Sequence, residues 1–124
     1  MKRHVCIVDA DPFFAGLVAR KCEQRGWKTT VLESYDHVER CFEEGVDAVV
    51  LDVVEHEDDA AEAIHQLRTA RTGHVPIVVF TKAHDPKTVH RLRAQGADAY
   101  LIKGHFLPME AVEKLARIMD SQVV

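Results

Sequence analysis

Each of four short apolar runs ends in a residue that could take part in metal or phosphoryl chemistry. The residues that end them supply two carboxylates, a hydroxyl and an ammonium: Asp9, Asp52, Thr81 and Lys103. Short apolar runs separated by helix-like stretches are typical of buried parallel strands. Ligands of such sheets bind outside the carboxyl ends of the strands, so we expect the four side chains to meet at one sheet edge. Together they suit a metal ion and a phosphoryl group.

The elements that must position these residues are five strand–helix units. Strands are predicted at residues 4–8, 28–32, 47–51, 77–80 and 99–102, with helices after Asp11, at 35–44, at 59–71, after Asp85 and from Pro108. Asp11 and Asp85 each precede a proline, which predicts a helix cap followed by the first helical residue. This alternation predicts an α/β fold with a parallel sheet covered on both faces, in either a Rossmann-like or a flavodoxin-like strand order.

Composition narrows the class of protein. The 124 residues, 47% of them hydrophobic, predict one domain over residues 1–124, and the net charge of −4 gives no support for binding nucleic acid. No apolar stretch is long enough to span a bilayer and no signal-peptide pattern is present, so a cytoplasmic location is expected. The turn at residues 9–12 lacks the glycines of a dinucleotide site. The three cysteines form no C-x-x-C pair, and we expect reduced, mostly buried thiols.

Taken in order, these residues resemble the receiver domain of two-component response regulators, and the resemblance covers the whole chain. Asp9 matches the acidic position after strand one, Asp52 the phosphoacceptor, Thr81 the hydroxyl after strand four, and Lys103 the lysine after strand five. Tyr100, three residues before that lysine, matches the switch aromatic. The resemblance implies a flavodoxin-like (βα)5 fold, with a parallel five-stranded sheet of order 2-1-3-4-5 and helices on both faces.

The resemblance also implies a chemistry. Asp52 is expected to accept a phosphoryl group from a phosphohistidine on a partner histidine kinase or phosphotransfer protein, with Lys103 as a second cation. Mg²⁺ is the implied cofactor, held by Asp9, Asp52 and the main-chain carbonyl of Val54, with Asp11 as a further candidate ligand. Such a domain is a signalling module, and its only catalysis would be its own phosphorylation and dephosphorylation.

The implied output is a change of shape. Phosphate at Asp52 would draw Thr81 inward, and the vacated space would admit Tyr100. The surface made by helix four, strand five and helix five would then change its affinity for a downstream protein target or effector domain. A homodimer through that surface is an open alternative, and neither nucleic acid nor a membrane is an expected direct partner.

The sequence departs from the family pattern at three positions. Ala10 stands where the family has a second acid, which is normally the direct metal ligand, so Mg²⁺ binding should be weakened. Lys82 follows Thr81 where a small residue is usual, and it would either crowd the pocket or replace metal charge with ammonium charge. Gly104 replaces the usual proline after the lysine, so that peptide need not be cis.

Two other functions stay open at this point. One is a degenerate receiver that acts as a phosphorylation-independent protein-binding module. The other is a haloacid dehalogenase-like phosphatase, in which Asp9 would be the nucleophile and Asp11 the general acid and base. The phosphatase family's late acidic pair has no match here, and that reading leaves Asp52 unexplained.

Overall fold

The computed structural model describes residues 2–53, 56–70 and 73–121. Along these ranges the elements are β1 (His4–Val8), α1 (Pro12–Gln24), β2 (Lys28–Leu32), a 3₁₀ segment (Tyr35–Phe42), β3 (Ala48–Leu51), α2 (Glu57–Ala70), β4 (Ile77–Thr81), α3 (Pro86–Gln95), β5 (Ala99–Ile102) and α4 (Pro108–Ser121). The predicted helices four and five are therefore α3 and α4. Asp11 and Asp85 cap α1 and α3 as predicted, each accepting from an amide two residues further on.

The sheet is parallel, with the strand order β2-β1-β3-β4-β5, which confirms the flavodoxin-like prediction and excludes the Rossmann-like order. The register places Val8 beside Leu51, and Thr81 beside Ile102. The residues that follow β1, β3 and β5 therefore emerge at the same edge as Thr81, the last residue of β4. This alignment is what gathers the candidate site.

The core lies on both faces of the sheet. One face packs against α1 and α4, and the other packs against the 3₁₀ segment, α2 and α3. Burial on both faces explains why the central strands are continuous apolar runs. Ile64, Leu67 and Leu92 are fully buried, and the burial of each contributes roughly 1.5–3 kcal/mol. None of the helices in the described ranges has the length and apolarity needed to cross a bilayer.

The second crossover differs from the prediction. We expected an α-helix over residues 35–44, but a 3₁₀ segment ends at Phe42 and is interrupted at His37, which has a non-helical backbone (φ −124°, ψ 32°). Tyr35, Val38, Cys41 and Phe42 pack against the sheet, so the apolar stripe is present, but a segment of eight residues forms few α-helical hydrogen bonds to offset the cost of nucleation. At the next crossover, α2 begins at Glu57 rather than Asp59, because acidic residues are favourable in a first helical turn. Its predicted end, Arg71, lies outside the described residues.

The expectation of three reduced thiols is wrong for two of them. Cys6 of β1 and Cys41 form a disulfide across a Cα–Cα distance of 5.6 Å, while Cys22 is a buried free thiol. Their sequence separation of 35 residues has no diagnostic pattern, so only the packing of the crossover under the sheet brings them together. Gly104 adopts a positive φ of 96°, and no peptide bond among the described residues is cis.

Candidate functional site

A cavity of about 460 Å³ opens at the carboxyl edge of the sheet. It is lined by residues that follow β1, β3 and β5 or lie at the end of β4 and just beyond it: Ala10, Asp11, Asp52, Val53, Thr81, Lys82, Ala83 and Lys103. Asp9 is almost completely buried beside it. The structure thus brings together the four polar groups that the sequence placed at strand ends.

Lys103 is the electrostatic centre of this site. Its Nζ donates to Asp9 Oδ2 at 2.8 Å and to Asp52 Oδ2 at 3.2 Å, and its side chain is only 3% exposed. The Lys103 amide donates to the Thr81 carbonyl at 2.7 Å, which extends the β4–β5 pairing and aims the side chain under the cavity. A buried ammonium is costly without partners, and here two carboxylates and the face of Phe14, 4.5 Å away, supply them.

Asp9 lies buried beside the cavity, in contact with Lys103. Its Oδ1 accepts from the Asp11 amide at 2.9 Å, while Oδ2 accepts from Lys103. Burial raises the pKa of Asp9 above its ordinary value, and the hydrogen bonds from Lys103 and the Asp11 amide act in the opposite direction. Each carboxylate oxygen of Asp9 therefore already accepts one hydrogen bond from the protein.

Asp52 is the more accessible of the two carboxylates, because its side chain is 14% exposed and lines the cavity. Its amide donates to the Val8 carbonyl at 2.8 Å, and its carbonyl accepts from the Tyr35 hydroxyl at 2.6 Å. Burial, with a smaller contribution from the Asp52 charge, raises the pKa of Tyr35, so the phenol stays a donor. Sequence reasoning missed Tyr35, because the contact depends on the unexpected 3₁₀ conformation of the crossover.

Thr81 and Tyr100 contact the same loop. The Thr81 hydroxyl oxygen accepts from the Val53 and Ala83 amides, both at 3.3 Å. The Tyr100 ring is largely buried, and its hydroxyl donates to the Ala83 carbonyl at 2.7 Å. Burial, helped by the charges of Asp52 and Glu57, raises the pKa of Tyr100 to about 12. The two expected switch residues are therefore linked through Ala83.

The family model described as "Response regulator receiver domain" matches residues 5–115. The chain belongs to this receiver family. Receiver domains are signalling domains of two-component systems rather than classical enzymes, so the phosphatase alternative is set aside. A comparison with curated proteins finds no match.

Solved receiver structures share the fold of this receiver. A CheY-like receiver domain protein from Methanospirillum hungatei is similar at a TM-score of 0.85 with 19% identity, over 98% of this chain and 97% of that one. The beryllofluoride-activated receiver domain of DrrB, from Thermotoga maritima, is similar at a TM-score of 0.83 with 22% identity, over 97% of this chain and 99% of that one. Vibrio cholerae chemotaxis protein CheY4 is similar at a TM-score of 0.77 with 17% identity, over 95% of this chain and 99% of that one.

Receivers use Mg²⁺ at their acidic pocket, and the residues of this receiver fit the ion with a reduced set of ligands. Asp9 and Asp52 both lie within hydrogen-bonding distance of one ammonium, so two hard oxygen donors stand close together, and Mg²⁺ often uses one or two carboxylates with substrate phosphates. Ala10 presents a methyl group to the cavity. Asp11 lines the cavity, but its Oδ1 caps α1 by accepting from the Phe13 amide at 2.9 Å. The carbonyl of Val54 lies outside the described residues, and those described contain no group of three or more metal-binding side chains.

Proposed function

We propose that this receiver, as a single domain over residues 1–124, accepts a phosphoryl group on Asp52 and switches the surface formed by α3, β5 and α4. The observation that carries the proposal is the state of the Asp52 carboxylate. It faces an open cavity and is held through one oxygen by a buried ammonium. The other oxygen accepts no hydrogen bond from the residues that the structure describes, so it is available to bond to an electrophile.

The donor in this proposal is a phosphohistidine on a histidine kinase or phosphotransfer protein. An oxygen of Asp52 bonds to phosphorus while the P–N bond breaks, its electron pair returns to the imidazole, and a proton from solvent keeps the departing ring neutral. Lys103 stays beside the reacting oxygens and opposes their charge, and the Thr81 hydroxyl can donate to a phosphoryl oxygen. Mg²⁺, held by Asp9 and Asp52 with Val54 and Asp11 as further candidates, would supply additional positive charge when bound.

The switch in this proposal passes through Ala83. The Thr81 hydroxyl oxygen now accepts from two amides, and turning toward a phosphoryl group would release the Ala83 amide. The Ala83 carbonyl holds the Tyr100 hydroxyl, so a shift of this loop is transmitted to β5. The neighbouring surface of α3, β5 and α4 would then change its affinity for a downstream target, an effector domain or a second copy.

Exposed apolar side chains near the cavity support a protein as the phosphoryl donor. Phe13, two residues after the cavity-lining Asp11, is 68% exposed. Phe106 pairs with Lys103 through an isolated bridge and is also exposed. Large exposed apolar side chains beside a reactive pocket suit a protein surface better than a small anionic donor.

The proposal includes a cytoplasmic location for the domain, and that location rests on family membership alone. Structural disulfides are rare in a reducing cytosol, so the Cys6–Cys41 bond gives the location a direct test. Alkylating cells before lysis and mapping residues 6 and 41 will show thiols if the domain is held in a reducing compartment. In that case the bond seen in the structure forms after lysis in air, and a disulfide already present in the cells would contradict the cytoplasmic location.

A phosphorylation-independent binding module is the second candidate function. It is favoured by Ala10, which removes a metal ligand, and by Tyr100, which is already buried and hydrogen-bonded to Ala83. In such a module the binding surface would be fixed in one state.

Acetyl phosphate with Mg²⁺ distinguishes the two functions. The proposed function predicts a phosphoryl adduct in the intact mass of the protein, no adduct in Asp52→Asn, and shifts of amide resonances in α3 and β5. The matched control is Asp47→Asn, which changes an acid at the opposite end of β3. Absence of an adduct from the wild type at millimolar Mg²⁺ would overturn the proposed function and favour the fixed module.

A further inference from the structure

We propose that Lys82 makes the cavity a two-lysine site for tetrahedral oxyanions, in which a phosphoryl group at Asp52 is balanced by the ammonium groups of Lys82 and Lys103 with little need for a divalent cation. This inference rests on the proposed function and deepens it. It concerns which positive charge the pocket uses.

The first observation is the position of the Lys82 ammonium. Lys82 lines the same cavity as Asp52 and Lys103. Its Nζ lies over the ring of Phe14 at 5.8 Å from the centroid, and Lys103 Nζ lies 4.5 Å from that same centroid. Both ammonium groups therefore lie within cation–π distance of one aromatic ring, and Lys82 is exposed whereas Lys103 is buried.

The second observation is that the charge of the Lys103 ammonium is already offset by two carboxylates. It is shared between the carboxylates of Asp9 and Asp52, at 2.8 and 3.2 Å. Phosphorylation of Asp52 replaces a single negative charge with a phosphoryl group of greater negative charge, while Asp9 stays beside the lysine. One buried ammonium would then face more negative charge than it can balance.

The third observation is that Lys82 is a free cation at the site. None of the carboxylates in the described part of the chain lies within ion-pair distance of its Nζ, whereas Arg91 of the neighbouring α3 is paired with Glu57 and Asp58. Its side chain is exposed, so little rearrangement is needed to reach an anion in the cavity. The methyl group of Ala10 lines this cavity and offers no ligand for a metal.

The alternative for Lys82 is steric: a long side chain after Thr81 would restrict entry to the cavity. Charge and bulk are separable by substitution. Lys82→Met keeps the length and removes the charge, Lys82→Arg keeps the charge, and Lys82→Ala removes both. Lys87→Met on the exposed surface of α3 is the matched control, because it makes the same change in net charge outside the cavity.

The test measures the rate of Asp52 adduct formation from acetyl phosphate by intact mass, in excess Mg²⁺ and in excess EDTA. We expect similar wild-type rates in the two buffers. Lys82→Met should be slower by about tenfold in EDTA, because at a solvated site a unit charge opposes the developing phosphoryl charge only weakly. Lys82→Arg and Lys87→Met should behave like the wild type. Adding Ala10→Asp to Lys82→Met should restore the rate in Mg²⁺ and not in EDTA.

A binding measurement provides a readout that does not depend on the reaction. Titration of inorganic phosphate in EDTA, followed by NMR, should shift the amides of Thr81, Lys82 and Lys103 in the wild type and in Lys87→Met. The same titration should leave Lys82→Met almost unchanged.

The outcomes separate this inference from the proposed function. An adduct that requires Mg²⁺ in the wild type, or a Lys82→Met rate in EDTA equal to that of the wild type, overturns the role of Lys82 and leaves phosphorylation of Asp52 intact. Faster reaction in Lys82→Ala with no change in Lys82→Met assigns the effect to bulk and also overturns it. No adduct in either buffer overturns the proposed function, and the inference with it.

Discussion

At the scale of single residues, the site depends on one buried ion triad. Lys103 contacts Asp9 and Asp52, and all three side chains lie under or beside the cavity. Burial makes each charged group costly, and the attraction between the ammonium and the two carboxylates offsets that cost. Without the ammonium, the two buried carboxylates would destabilise the folded state. The triad therefore links the stability of the domain to the residue that would oppose phosphoryl charge.

We predict that Lys103→Met lowers the free energy of unfolding by about 3–5 kcal/mol at neutral pH, because it leaves two uncompensated carboxylates. The loss should shrink as the pH falls toward 4. Burial raises the pKa of Asp9 above its ordinary 3.8, so the folded variant takes up a proton before the unfolded chain does and is relatively stabilised by acid. Chemical denaturation at several pH values measures this, with the exposed Lys87→Met as control. A loss that does not vary with pH would contradict the buried-triad account.

The two tyrosines allow a second test at this scale. Burial raises the pKa of both phenols, that of Tyr100 to about 12. In Tyr35→Phe, tyrosinate absorbance should therefore report Tyr100 alone, with a midpoint near 12 instead of the ordinary 10.0. Because the folded-state pKa is raised, stability from the neutral phenol is complete below pH 10 and is lost as the pH rises through 12. Circular dichroism must show a folded protein throughout, and a midpoint near 10 in the folded state would place Tyr100 in solvent.

At the scale of elements, the 3₁₀ segment is attached both to β1 and to Asp52, which follows β3. One end places the Tyr35 hydroxyl on the Asp52 carbonyl, and Cys41 near the other end is bonded to Cys6 of β1. Val38 and Phe42 of the same segment also pack against the core. The hydrogen bond and the disulfide therefore add to the packing that holds the segment against the sheet.

Thiol counting tests this attachment. The protein purified in air and then denatured without reductant should react as one thiol out of three cysteines, because only Cys22 is free in the structure. Burial raises the pKa of the Cys22 thiol to about 12, so the native protein should react slowly. Cys41→Ala should lower the free energy of unfolding by about 2–4 kcal/mol relative to the oxidised wild type. Three rapidly reacting thiols in the denatured protein would show that the bond is absent.

The turn before β5 is held by α2. Arg68 donates to the carbonyls of Gly96 and Val75 and to Asp98, which in turn accepts from the Ile77 amide. Gly96 has a φ of +126°, and a Cβ there would lie 2.9 Å from Arg68 Nε. This is a position where only glycine combines the backbone conformation with the close contact.

We predict that Gly96→Ala costs about 1–3 kcal/mol of stability, because it adds backbone strain and displaces Arg68. Gly45→Ala is the matched control, since nothing lies within 4 Å of its added Cβ, and it should change stability by no more than about 0.5 kcal/mol. Urea denaturation of both variants measures the difference. Equal stabilities would show that Arg68 moves away without loss.

At the scale of the whole molecule, the sequence predicts what depends on periodicity and strand ends. Buried apolar runs predicted the strands, and their last residues predicted that Asp9, Asp52, Thr81 and Lys103 meet. It does not predict contacts set by how a crossover lies against the sheet. The Tyr35 hydrogen bond, the Cys6–Cys41 bond and the Arg68 contacts to Gly96 all join segments whose spacing in the chain carries no periodic signal.

The same distinction separates fold from activity in this receiver. The strand order and family follow from patterns spread along the chain, while phosphorylation depends on a few local charges. Ala10 and Lys82 alter that local balance without touching the core. We therefore expect the charged residues that line the cavity, rather than the strand order, to determine whether Asp52 is phosphorylated.

The central claim is that Asp52 is the phosphoacceptor, and the most direct measurement locates the modification. After reaction with acetyl phosphate, borohydride reduces an acyl phosphate to an alcohol, so peptide mapping should find homoserine at position 52 and unchanged aspartate at positions 9 and 11. Homoserine at position 9 or 11, with Asp52 intact, would contradict the account.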